Sequence, residues 1–324
     1  MARTLRDFLV EQSINGYSPI MDDVEKKSGI LLTMPLIAAN HNKYHLYMKS
    51  GTLPSGTIRL IGGSVTPSAV NNTLGQADLF NFAILQQDDE DLVYNLGGGR
   101  SEAAVIAYFN ARYAQYLEGM IQTISTQLIY GTNSTFGNDQ GWAGLHQYAK
   151  ASSLVTQLAG TTGSRTSIFF VRWNPNFCAG VVNSAVMDGS VPFMTSTTPE
   201  RIKKVTNTTT GAQQPVWSVD HNSQMGLMVS SDVCVSAITQ LDSTHIMTST
   251  QVITALRQIH SLRDLENTYV YCNEVGYGYL NSLKEAKFQT TPENKDYNTM
   301  LEFFDRAKIV VDENILSTET TVLD

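Results

Sequence analysis

The sequence predicts an α+β chain built around one outsized helix. Three observations carry that prediction: an unbroken helical period over residues 101–130, short alternating stretches of strand character before and after it, and no internal repeat. At 324 residues the chain is long enough to bury a core without disulfides or metals.

Taken in order, residues 3–28 open with a short amphipathic stretch, Leu5, Phe8 and Leu9, followed by polar sequence broken by Gly16 and Pro19. This segment has too little apolar surface for a core of its own and reads as an arm that needs apolar surface elsewhere. Residues 42–63 read as a long hairpin. Tyr44, Leu46 and Met48 alternate with Lys43, His45, Tyr47 and Lys49; after a Gly/Pro/Ser-rich connector, Ile58 and Leu60 alternate with Thr57, Arg59 and Ile61. A lone two-stranded ribbon is marginal in water, so a projecting one is expected to rest on another subunit.

In residues 101–130, Ile106, Phe109, Tyr113, Leu117, Met120, Ile124 and Leu128 recur at three- and four-residue steps and mark one helical face. Ser101 is placed to cap the N-terminus, Glu102 suits its positive end, and Gly131 is a natural stop. At 1.5 Å per residue such a helix is about 45 Å long, a beam on which other parts are mounted. Residues 132–165 read as a loop. Residues 166–173 form a strand closed by Asn174-Pro175-Asn176, and 195–215 read as a Thr-rich surface loop. Residues 225–238 read as one or two strands. From 249 the pattern runs helix, strand, helix, strand: Val252, Leu256 and Ile259 on a helix capped by Ser249 or Thr250, a strand at 268–272, a helix capped by Asn273, and a strand at 308–311.

The familiar catalytic signatures are missing: the sequence has no GxSxG elbow, no HExxH and no phosphate-binding GxxxxGK[ST] loop. Gly276-Tyr277-Gly278 supplies two glycines of a dinucleotide fingerprint without the third, after a helix start instead of at a strand–helix turn. His41 and His45 lie four apart in strand-like sequence with no carboxylate or thiol beside them, and read as ordinary hairpin residues. Asp88-Asp89-Glu90-Asp91 lacks the spaced oxygen ligands of a calcium loop and reads as a solvated bend. Cys178, Cys234 and Cys272 are too few and too scattered for a disulfide framework and read as buried thiols. No catalytic, cofactor or metal site is assigned.

Lys and Arg total 22 against 30 Asp and Glu, a formal net charge of −8, and charged residues make up only 16% of the chain. Duplex DNA is held mainly by Lys and Arg neutralising phosphates, so this balance argues against specific nucleic-acid binding. The low charge fits a surface largely covered by other chains. Asp7 interrupts the apolar run an export signal needs, and residues 29–40, the most apolar segment, are too short to span a bilayer. The expectation is a soluble, intracellular protein with no membrane partner.

One resemblance runs through the chain. Glu118-Gly119-Met120-Ile121-Gln122-Thr123, then Leu128-Ile129-Tyr130-Gly131 with Phe136, Gly144 and Leu145, resembles major capsid proteins of short-tailed bacteriophages. The matches continue through Gly160-Thr161-Thr162-Gly163-Ser164, Thr166-Ser167-Ile168, Trp173, Gly226-Leu227-Met228-Val229, and Tyr271-Cys272-Asn273, with Arg59-Leu60, Gly63 and Val65 upstream. The likeness covers about residues 35–285. Ser231, where the family usually has a basic residue, and Val233, where it usually has an aromatic, depart from it.

The resemblance implies the Hong Kong 97-type fold: an N-terminal arm at 1–41, an E-loop hairpin at 42–66, a connector and spine helix at 67–131, mainly the peripheral P-domain at 132–245 and mainly the axial A-domain at 246–324. It implies a non-enzymatic shell protein without cofactor, whose copies form pentamers and hexamers around double-stranded DNA in the virion. Assembly would take place in the host cytoplasm, with a separate scaffolding protein, a portal protein at one vertex and, in some relatives, a decoration protein. The residues expected to contact neighbours are Leu5, Phe8, Leu9, Lys43, Tyr44, Leu46, Met48, Lys49, Ile58, Arg59 and Leu60. Some relatives crosslink an E-loop lysine; Lys43 and Lys49 are available, but nothing marks them as reactive. An encapsulin-type compartment of the same fold and an α+β enzyme with an unrecognised site are the competing readings.

Overall fold

Two β-sheets share one core, and a long helix runs from one to the other. The computed structural model describes residues 28–51, 54, 56, 58, 59, 61, 69–96, 99–132, 141–206, 213–231, 233–261, 265–288 and 307–319. Sheet one comprises β1 (Leu36–Ala38), β4 (Phe80–Asp89), β7 (Cys178–Val182), β8 (Met194–Ser196), β9 (Glu200–Thr206) and β10 (Gln213–Val229). Its order is β1-β7-β10-β4, with β8 and β9 also laid along β10. The 17-residue β10 is the organiser, antiparallel to β4 from Val216↔Asp89 to Met225↔Phe80 and to β7 from Met225↔Val182 to Val229↔Cys178.

Sheet two has the order β13-β12-β6-β11-β5, from β5 (Val155–Gln157), β6 (Thr166–Arg172), β11 (Val235–Leu241), β12 (Thr268–Cys272) and β13 (Lys308–Val311). Every residue of β6 and β11 is buried, because both faces of this sheet are covered. One face carries Ile168, Phe170, Ile238 and Val270 against Val252 and Leu256 of α6 (Ser249–Gln258) and Leu280 of α7 (Glu274–Phe288). The other carries Phe169, Val171, Val235, Ala237 and Tyr271 into the main core, where they meet Phe82, Val182, Met225 and Leu227 of sheet one.

The beam is α3 (Glu102–Tyr130), 29 residues long. Ser101 Oγ accepts from the Ala104 amide at 3.2 Å, and the Gly131 amide donates to Gln127 O at 2.9 Å, so both predicted ends hold. Four residues of the predicted face, Phe109, Met120, Ile124 and Leu128, are buried; Ile106, Tyr113 and Leu117 are half-buried. The first turns of the helix pack with Val93 of α2 (Glu90–Leu96) and Val219 of β10, and its last turns enter the main core. Three short helices complete the body: α1 (Gly29–Thr33), α4 (Leu145–Ala151) and α5 (Ser184–Met187). Thr33 of α1 is bound to the core through its hydroxyl, 2.6 Å from the Tyr271 hydroxyl, which also accepts from Trp173 Nε1.

Several expectations need correction. The strand that returns along β2 (Tyr44–Ser50) is β3 (Asn72–Asp78), in register from Tyr44↔Asp78 to Ser50↔Asn72, and not the segment at 58–61. Ile58 and Ile61, placed on opposite sides of the expected alternation, are both fully exposed, and Thr57 and Leu60 lie outside the described residues. Within 195–215, residues 195–196, 200–206 and 213–215 belong to β8, β9 and β10 instead of a loop, and 207–212 lie outside the described residues; 132–165 include α4 and β5. Asp88 and Asp89 end β4, and Glu90 starts α2 with its carboxylate buried against Arg201, at 2.7 Å, instead of lying in a solvated bend. The cap of α6 is Thr248, in a capping box with Gln251, not Ser249 or Thr250. Residues 132–245 contribute strands to both sheets.

Candidate assembly surfaces

Among the described residues, the buried contacts of the β2–β3 ribbon lie at its root. Asn40 clasps the backbone of Leu46, its amide donating to Leu46 O and its carbonyl oxygen accepting from Leu46 N, both at 2.8 Å. The Leu79 amide donates to Lys43 O at 2.9 Å. Ala77 and Leu79 are buried with Ala179 and Val181 of β7 and Met228 of β10, and Tyr47 packs against this cluster. Tyr47 also lies across Gly75 on the facing strand, where a β-carbon would sit 2.4 Å from its ring. A glycine in a strand interior weakens it unless something covers the gap, and here the tyrosine ring does so.

Beyond the root the ribbon exposes apolar side chains. Met48 and Leu74 are a directly facing cross-strand pair, 69% and 71% exposed, and Val70, Ile58 and Ile61 are exposed as well. Such a set of apolar side chains in water marks an interaction surface. Tyr44 and Leu46 are half-buried, Lys43 and Arg59 exposed, and Lys49 half-buried on the ribbon. The structure therefore brings Lys43, Tyr44, Leu46, Met48 and Lys49 together on β2 and its approach, and sets Ile58 and Arg59 apart from them on the connecting segment. Leu5, Phe8, Leu9 and Leu60 lie outside the described residues.

A second exposed apolar region was not read from the sequence. Leu92 and Leu96 of α2 project beside an open cleft of about 300 Å³ lined by Leu96, Ala107, Tyr108, Ala111 and Arg112. Arg112 lies over the Tyr108 ring, 4.2 Å from its centroid, and 3.4 Å from the Asp88 carboxylate. Small residues on the outer face of α3 leave this cleft open; the signal in the sequence is Ala103, Ala104, Ala107 and Ala111 on the helix. Sheet one also exposes Leu85 on the face of β4 turned away from α3.

Reactive chemistry is sparse. The three cysteines are buried free thiols, and burial pushes the Cys272 thiol up to about 12. Among the described residues no group of three or more His, Cys, Asp or Glu could hold a metal ion, and no helix is long and apolar enough to cross a membrane. His221 of β10 is buried under α3, its ring stacked on Tyr116 at 4.9 Å and its Nε2 3.3 Å from Gln86 Oε1; burial holds its pKa below the usual value. That geometry packs a helix on a sheet and leaves no open position for a substrate.

The chain aligns with a structure of bacteriophage Epsilon15 over 100% of its own length and 98% of the other chain, with a TM-score of 0.65 at 17% identity. The bacteriophage JBD30 capsid aligns over 94% of this chain and 97% of that one, with a TM-score of 0.47 at 8% identity. A structure from Mycobacterium phage Adephagia covers 69% of this chain and 94% of that one, with a TM-score of 0.45 at 9% identity. No curated protein sequence matches the chain. The Epsilon15 likeness shows a shared fold, the α+β Hong Kong 97-type architecture expected from the resemblance. The family described as major capsid protein GP7 matches residues 14–323, nearly the whole sequence, and the chain therefore belongs to the phage major capsid proteins.

Proposed function

We propose that copies of this chain assemble as pentamers and hexamers into an icosahedral head shell around double-stranded DNA, and that the β2–β3 ribbon is the E-loop through which neighbours grip one another. The observation that carries this reading is the exposed Met48–Leu74 pair on the outer part of a ribbon whose buried contacts, among the described residues, lie at its root. Closed symmetry requires each patch to meet a fixed complementary patch, and a subunit whose apolar ribbon has no cover of its own finds that cover on an identical neighbour. The E-loop in this reading runs to residue 78, beyond the 42–66 of the sequence reading. Sheet one corresponds to the P-domain and sheet two with α6 and α7 to the A-domain, while the chain ahead of α1 serves as the arm; α1 and β1, within the 1–41 of the sequence reading, are built into the main core and sheet one.

The proposal extends to partners. A separate scaffolding protein guides assembly in the host cytoplasm, a portal protein occupies one vertex, and decoration proteins are an optional addition. The net charge of −8 suits a wall that encloses DNA without gripping it, and the chain is assigned no catalysis. An encapsulin-type compartment would share the fold; a cargo-enzyme gene beside this one would favour it, and terminase and portal genes favour the phage head.

The test is to produce the chain alone and together with its neighbouring gene products, then measure sedimentation and image the particles by negative-stain microscopy. Closed shells of uniform size are expected with a scaffolding protein present. Uniform shells from the single chain would remove the scaffolding step, and a small discrete oligomer under all conditions would overturn the shell itself.

A further inference from the structure

We infer that residues 307–319 form a proton-sensitive strap that fixes the start of α1, where residues 1–27 attach, to the C-terminal end of α3 and to sheet two. The inference concerns the subunit alone and stands whether or not residues 1–41 act as an assembly arm.

The strap begins as β13 beside β12 and then makes two buried carboxylate contacts. Asp312 is fully buried: its Oδ2 accepts from the Ile30 amide at 2.9 Å and from Ser28 Oγ at 3.4 Å, and its Oδ1 accepts from the Asn314 amide at 2.9 Å. Ser28 Oγ is in turn 2.8 Å from Ser125 Oγ of α3. Seven residues on, Glu319 is 3% exposed; its Oε1 accepts from Tyr130 Oη at 2.8 Å and its Oε2 from Ser167 Oγ at 2.7 Å. Tyr130 Oη also accepts from the Leu316 amide at 2.9 Å. The main chain of Glu319 is held as well, its amide donating to Arg165 O at 3.0 Å and its carbonyl accepting from Arg165 Nε and the Gly163 amide, each at 3.1 Å.

The groups that face the Glu319 carboxylate are thus Tyr130 from α3 and Ser167 from β6, with Arg165 just before β6 and, on the strap itself, Asp312 near Tyr130. Both direct donors are neutral hydroxyls, and the bond from Arg165 Nε goes to the main-chain carbonyl, not to the carboxylate. Tyr130 keeps its proton throughout, since burial and the nearby carboxylates hold it well above its ordinary range. A charge set down among neutral donors is poorly compensated. Burial pushes Glu319 up to about 7, against the opposing pull of Ser167, Tyr130 and Arg165. Asp312 is raised in the same way, by burial.

The docked strap therefore binds its proton more tightly than the released one. A carboxyl that titrates at 4.5 when released and at about 7 when docked favours docking at low pH, and the preference fades as pH rises through that interval. Between pH 5 and pH 8 the equilibrium for release should rise by about 70-fold from Glu319 alone.

Hydrogen exchange of the full chain, followed by mass spectrometry and corrected for intrinsic rates, reads this directly. Protection of the amides of 307–319, and of Ile30 and Leu31 in α1, is expected to fall by that factor from pH 5 to pH 8, while β6 and β11 stay unchanged. In Glu319→Gln, which keeps the shape and removes the ionisation, the loss above pH 6 should vanish. Tyr130→Phe, which removes one donor to the ionised form, should move the midpoint to higher pH. A wild-type profile flat across this range, a Glu319→Gln profile that follows the wild type, or a loss shared equally by β6 and β11 would each overturn the inference. Should Glu319→Gln fail to fold, the wild-type profile and the direction of the Tyr130→Phe shift decide the matter.

Discussion

Replacing Met48 and Leu74 together with serine should weaken assembly and leave the subunit intact. The two residues face each other across the ribbon and are 69% and 71% exposed, so neither supports the fold of its own chain. Fully burying a Met or Leu side chain yields roughly 1.5–3 kcal/mol, so covering the exposed seven-tenths of each is worth about 1–2 kcal/mol. The pair then contributes about 2–4 kcal/mol to each contact with a neighbour, a factor of roughly 30 to 1,000 in the pairwise association constant. In a closed shell every subunit offers its ribbon once, so the loss recurs at every copy. The assay compares two quantities on the same preparations: the midpoint of chemical denaturation of unassembled subunits, and the protein concentration above which shells sediment. The denaturation midpoint should move by less than about 0.5 kcal/mol, the usual range for surface substitutions, while the assembly threshold rises by at least an order of magnitude. An unchanged threshold would show that the ribbon does not carry the contact, and a subunit that unfolds would show that the ribbon belongs to the core.

Other positions test the remaining links. Gly75→Val places a branched side chain where a β-carbon already meets the Tyr47 ring at 2.4 Å, so exchange protection of 44–50 and 72–78 should collapse while that of β6 persists. Ser101→Ala removes the cap of α3 and should cost about 1 kcal/mol in subunit unfolding, with Ser101→Asp restoring it. Ile124→Ala, at a fully buried position of the main core, should cost about 2–5 kcal/mol by chemical denaturation and lower the yield of folded subunit before assembly begins. His221, held below its ordinary pKa by burial, binds protons more readily in the unfolded chain, so its own contribution to stability is lost as pH drops through 6.5, opposite in sign to that of Glu319; the melting temperature of the wild type relative to His221→Gln should therefore fall from pH 7.5 to 5.

The long helix was legible because nothing else generates a three-and-four period over so many residues, and because its cap and its stop are local signals. The buried strands of sheet two were legible in part for a similar reason: Thr166 to Arg172 is a short β-branched and aromatic run closed by a proline turn. Sheet one was mostly missed. In β4 the helix-facing side carries Phe80, Phe82 and Ile84 but then Gln86 and Asp88, and this polar end hides the alternation. Glu200, Arg201, Lys203 and Lys204 of β9 and Gln213 and Gln214 at the start of β10 are polar, because solvent lies beside them, and a polar strand edge looks like a loop until its partner is known. The ribbon misled most. Asn72 to Asp78 has a central glycine and little apolar content, and its pairing partner is fixed by Tyr47 reaching over Gly75, a tertiary fact that no local pattern announces. The buried carboxylates of the strap are beyond sequence reading for the same reason. Asp312 and Glu319 look like ordinary surface acids until α1, α3 and β6 close over them.

These particulars explain how one chain can be both a stable body and an incomplete one. The main core draws on both sheets and on the last turns of α3, and every residue of β6 and β11 is covered without help from the ribbon. The ribbon touches that body through a small cluster at its root, centred on Ala77, Leu79 and Met228. Its outer part can therefore change direction at little energetic cost to the fold, because few buried contacts would have to break. In the proposed shell, pentamers and hexamers would present the same subunit with neighbours at different angles, and a ribbon hinged at its root would meet both without repacking the core. A rigid ribbon, packed along its whole length on its own subunit, would fit one of these settings and strain in the other. Mutations divide accordingly: those in the main core should reduce the amount of subunit, whereas those beyond the root should alter which closed particles form from a normal amount of it.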